Sequence, residues 1–163
     1  METLKTFLGD LIFTSPLVGS WWMVLLSFVV SSLIIFNAWF RKYPIAWVEP
    51  KVMALELWEK TKKYFPNALW QQAIFVTVFF WSKEVWGWEI ATVVSAIAFG
   101  LVGHMGVPLL MGWCAAMGCV YGIFYNHYPN IWILIVTHGY LATILFSFTP
   151  ESLTQGGRVW RRE

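Results

Sequence analysis

The chain has 163 residues, 58% of them hydrophobic and 12% charged, with a net charge of +2. Soluble domains carry roughly 25% charged residues, so the composition argues for a single polytopic membrane domain. The small net charge carries no signal for nucleic acid, and no nucleic-acid partner is expected. Trp and Phe, at 12 and 13 copies, are abundant, and Trp gathers at membrane–water boundaries because its ring is apolar and its N–H is wet.

In chain order, residues 1–15 read as an amphipathic lead: Leu4, Phe7, Leu8, Leu11 and Ile12 recur at helical spacing, as in a helix lying in the interface. Residues 1–10 lack the basic start and small-residue cleavage site of a secretory signal, so no cleaved peptide is expected. The first span covers about residues 17–40, with Trp21 and Trp22 at one boundary and Trp39, Arg41 and Lys42 at the other. Residues 41–66 form a charged amphipathic connection, punctuated by Pro44 and Pro50. Its helix starts at Pro50, with Glu56–Lys60 and Glu59–Lys63 spaced for ion pairs and Val52, Leu55 and Trp58 on an apolar side. The remaining spans are expected at about 68–86, 88–104, 107–125 and 131–148, followed by a loose tail at 149–163.

Lysines and arginines fall on the 41–66 connection and on the tail, and only Lys5 and Lys83 on the other side. That bias predicts five spans with the N-terminus outside and the C-terminus cytoplasmic, in a bacterial inner membrane. The expected fold is all-α, a transmembrane helical bundle with interfacial helices. Ala96, Gly100 and Gly103 form one stripe of small residues, and Ala115, Gly118 and Gly122 another. Such stripes mark close helix approach, within the chain or against another membrane subunit.

Cys114 and Cys119 lie five apart on one expected helix and face different ways, so neither a disulfide nor a metal site is expected from them. Across residues 93–146 the only acidic or basic side chains are His104, His127 and His138. Lipid offers no hydrogen bonds, so a mid-span imidazole must be paired, solvated or bound. His127 lies in the NHYPN turn and reads as interfacial; His104 and His138 are the candidates.

The stretch 95–142 resembles the CAAX-protease and bacteriocin-processing (abortive-infection) family of intramembrane peptidases. SAIAFGLVGH, with Phe99 and His104, looks like that family's Phe-x-x-x-His motif. GCVYGIFYNHYPNIWILIVTH looks like its glycine-rich helix, turn and final motif, ending at His138; SKEVWGW stands where the Glu-Glu-x-x-x-Arg motif belongs. The resemblance implies a catalytic set of Glu84, His104 and His138. The sequence departs from the pattern at Lys83, Trp88 and Ala142, and Phe99 and His104 are five apart rather than four. Glu84 and His104 would lie about 25–30 Å apart on a straight helix.

Three functions follow. The first is a non-catalytic integral membrane subunit, a degenerate relative of these peptidases that packs against a larger membrane assembly. The second is an active intramembrane endopeptidase using Glu84, His104 and His138, which could also form a zinc site. The third is a haem- or chlorophyll-binding subunit with His104 or His138 as axial ligand, where Gly100, one turn before His104, makes room for a flat ring beside Trp113.

Overall fold

The computed structural model describes residues 21–40, 50–104 and 107–148. The expected lead at 1–15, the stretch 41–49 between the first two helices, and the tail lie outside the described residues. Five α-helices follow one another: α1 (Trp21–Phe40), α2 (Pro50–Trp86), α3 (Trp88–His104), α4 (Pro108–His127) and α5 (Ile131–Phe148). Among the described residues there is no strand, and the chain is all-α.

Local chemistry sets the helix ends. Gly87 separates α2 from α3 at φ +84°, a left-handed conformation that glycine adopts without the Cβ penalty. Its N–H donates to the Lys83 carbonyl at 3.1 Å, closing α2, and its own carbonyl accepts from Ala91 N–H at 3.1 Å, opening α3. Pro108 sits at the start of α4, where a missing N–H costs nothing. Asn130 caps α5: its Oδ1 accepts from the N–H groups of Trp132 and Ile133 at 3.1 and 3.3 Å.

One boundary differs from expectation. The amphipathic connection and the second span are not separate helices but one helix of 37 residues running through Pro66. Proline inside a helix removes one hydrogen bond. Pro66 is exposed, so the carbonyl it leaves without a partner lies toward the outside rather than in the core. The expectation of five membrane spans is also not met helix by helix, because no helix among the described residues is long and apolar enough to cross a membrane.

α2 packs against both α3 and α5, α3 against α4, and α1 against α5. The small-residue stripes are spent inside the chain, on the α3–α4 contact, apart from Gly103, which faces Gln71 on α2. A Cβ added at Gly118 would sit 2.7 Å from Ala96 Cα, and one at Gly100 would sit 2.7 Å from the Met111 carbonyl oxygen. At Gly122 it would meet Thr92 at 2.8 Å. On the other side of α2, Gly139 lets Phe65 lie flat on α5, since a Cβ there would be 2.8 Å from that ring. At the centre Phe75, fully buried, meets Phe99 and Tyr121 edge-on, with ring centroids 5.9 and 6.4 Å away.

Lys60 reaches across to the last turn of α5, donating to the Phe146 carbonyl at 2.9 Å. A cation there meets the negative end of the helix dipole. Glu59 pairs with Lys62 at 2.6 Å. At the opposite end Lys83 donates to Asn126 Oδ1 at 2.9 Å.

Candidate functional site: a buried imidazole and the cleft between α4 and α5

α4 and α5 are neighbours in sequence, yet α5 packs on α2 and α1 rather than closely on α4. Between them lies a cleft of about 40 Å³. That is room for a few water-sized groups, since one water needs roughly 10–15 Å³. Both candidate histidines line the cleft, together with Phe99, Tyr121, Cys114 and Trp113. α1 contributes Val30 and Ile34 to the wall.

His138 sits in the middle of α5 and is 9% exposed. Its ring stands edge-on to Phe99, with centroids 5.0 Å apart, and lies tilted to Tyr121 at 6.3 Å. The Tyr121 hydroxyl is in turn hydrogen-bonded to the Thr137 side chain. Gln72 Nε2, on α2, lies 3.2 Å from His138 Nδ1. An amide nitrogen can only donate, so Nδ1 accepts and the proton of the neutral ring resides on Nε2. Gln72 is not part of the cleft wall, so the Nδ1 edge faces α2 and the opposite edge faces the cleft. His104 ends α3. Its Nε2 is buried with no hydrogen-bond partner among the described residues.

The third member of the expected catalytic set is elsewhere. Glu84 lies in the last turn of α2, is exposed, and is absent from the cleft lining. The 17 residues of α3 separate that end of the bundle from His104, roughly 25 Å at 1.5 Å per residue. A general base must be within hydrogen-bond reach of its water and partner, so Glu84, His104 and His138 do not form one reacting centre. Nor do they make a zinc site: among the described residues, no group of three or more His, Cys, Asp or Glu side chains could hold a metal ion. The expected space for a flat macrocycle beside Gly100 is taken by α4, whose Met111 carbonyl and Ala115 fill it. Trp113 does share the cleft with His104, but the space is a small fraction of the several hundred Å³ typical of cofactor pockets.

Gln72 is a site residue that the motif pattern does not mark. Its signal was present: two adjacent amides, Gln71 and Gln72, interrupt an otherwise apolar segment. Both are buried, and the side-chain oxygen of each lacks a hydrogen-bond partner among the described residues. No family model, curated protein or solved structure matches the chain.

Proposed function

We propose that this chain is a non-catalytic integral membrane subunit, a helical bundle embedded in lipid that packs within a larger membrane assembly. The observation that carries this reading is the apolar outer surface, set against polar side chains buried inside. Trp81, Val85, Ile90, Val93, Ile97 and Val136 all face outward, while Gln71, Gln72, Thr92, Ser95, Thr137 and His138 are buried. Exposed apolar patches of that extent are foreign to soluble monomers and mark contact with lipid or protein. The inward hydroxyls turn back onto their own helices: Ser95 donates to the Ala91 carbonyl at 2.6 Å, and Thr143 to that of Gly139 at 2.8 Å. Hydroxyls so bonded present little polarity to lipid.

A bundle of this kind need not be built from uniformly apolar helices. Single-helix hydropathy counts Gln71 and Gln72, which lipid would never touch. Exposed tryptophans supply the two boundaries, with Trp86 and Trp132 at the Gly87 end and Trp70 and Trp113 toward the other. The Lys60–Phe146 bond brings the basic start of α2 beside the end of α5, in keeping with a cytoplasmic C-terminus.

The resemblance to CAAX-type peptidases is in keeping with an all-helical chain, and the distance of Glu84 from both imidazoles argues against cleavage. Because the small-residue stripes are used within the chain, a partner would have to meet an outward face such as Ile90–Val93–Ile97–Leu101 on α3. The test is alkaline carbonate extraction of membranes, followed by purification in mild detergent. Retention in the membrane pellet and stoichiometric co-purification of another membrane protein are expected. Release into the carbonate supernatant would refute insertion, and a monodisperse lone monomer in mild detergent would refute the subunit role.

A further inference from the structure

We infer that the α4–α5 cleft is a binding site for an uncharged, lipid-soluble molecule carrying a carbonyl head on an apolar chain. Two independent features point there. The wall is almost wholly apolar, made by Leu110, Trp113, Met117, Leu141 and Leu145 with Phe99 at its inner side. Set into that wall is the imidazole of His138, whose cleft-side nitrogen has no hydrogen-bond partner among the described residues. His138 is more than nine-tenths buried and, among the described residues, makes one hydrogen bond, through Nδ1, on the side away from the cleft. His104 also lines the cleft, though its Nε2, without a partner among the described residues, is covered rather than open to it.

A buried polar atom without a partner costs free energy that a matching ligand atom recovers. The Gln72 bond makes the cleft-facing nitrogen of His138 an N–H donor, so the matching ligand atom is an acceptor. The site offers no charge to a carboxylate or phosphate: among the described residues no Lys or Arg side chain lines it. A carbonyl oxygen fits the inner space, which has the volume of only a few waters, and the chain would follow the apolar wall outward past the exposed Trp113.

The cleft exists whatever surrounds the bundle, so binding and membrane insertion fail separately. The full chain in detergent is titrated with 2-tridecanone and, at the same micellar mole fraction, with n-tridecane. The ketone is expected to raise the melting temperature and the alkane to leave it unchanged. In His138→Leu the ketone should bind about tenfold more weakly, the loss expected for one hydrogen bond; His104→Leu, at a less buried position, keeps the test available should the first variant not fold. In the wild-type chain the carbonyl stretch of the ¹³C=O ketone should move to lower frequency, as in a hydrogen bond. Displacement of the ketone by a monoacylglycerol assigns the site to acyl lipids, and displacement by a short-chain quinone to isoprenoid quinones. Equal effects of ketone and alkane, an unshifted carbonyl band, or displacement by neither competitor would overturn the inference.

Discussion

Gly118→Ala is the sharpest test of how the bundle is held together. The added methyl carbon would lie 2.7 Å from Ala96 Cα and 3.0 Å from Ala96 Cβ. The first of these is backbone, so no rotamer change relieves it; α3 and α4 must separate. Overpacking of this kind costs about 1–3 kcal/mol. For a chain of this size that is a fall in Tm of roughly 2–12 °C, at about 2–4 °C per kcal/mol. Two further glycines calibrate the result. Gly103→Ala would meet only the end of the Gln71 side chain, at 2.8 Å, which can swing aside, so its cost should be smaller. Gly112→Ala meets nothing within 4 Å, and should stabilise by about 0.5–1 kcal/mol through the helix preference of alanine. Thermal unfolding of the three variants in one detergent, followed by circular dichroism, gives the ranking. If Gly118→Ala melts with or above Gly112→Ala, the close approach of α3 and α4 is wrong.

Two other substitutions test the site and its support. Asn130→Ala removes the side-chain acceptor at the start of α5 and should cost about 1 kcal/mol, while Asn130→Asp keeps the acceptor and should melt near the wild type. Gln72→Ala strips His138 Nδ1 of its donor and opens a gap beside it; a loss of about 1–3 kcal/mol is expected, and the His138 ¹⁵N resonances should show the Nδ1–H tautomer gaining population.

Much of the fold could be read from turn chemistry. Gly87, Pro108 and Asn130 sit where helices stop or start, and each does so for a local reason that needs no knowledge of neighbours. Pro66 misled for the complementary reason. A proline break is a preference, and its exposed position lets α2 continue through it. The glycine stripes announced a close approach, but periodicity cannot name the opposing helix; only the α3–α4 contact supplies Ala96 and Thr92 as what they touch. At the site, His104 and His138 stood out because nothing else acidic or basic shares their apolar stretch. Gln72 did not, because an amide 66 residues away in the chain gains meaning only when α2 and α5 meet. Glu84 was drawn in by a motif, and motif order says nothing about the length of helix lying between two residues.

The 37 residues of α2 make a rod of about 55 Å, whose outer third carries Trp58 and Lys62 on its surface and whose inner part holds Gln72 and Phe75 in the core. Such a rod transmits torque. Slipping its winding by a single residue turns the inner part about 100° and carries Gln72 off the imidazole it steadies. The helix register that sets the Lys60–Phe146 contact at one end therefore also sets which face of α2 meets His138.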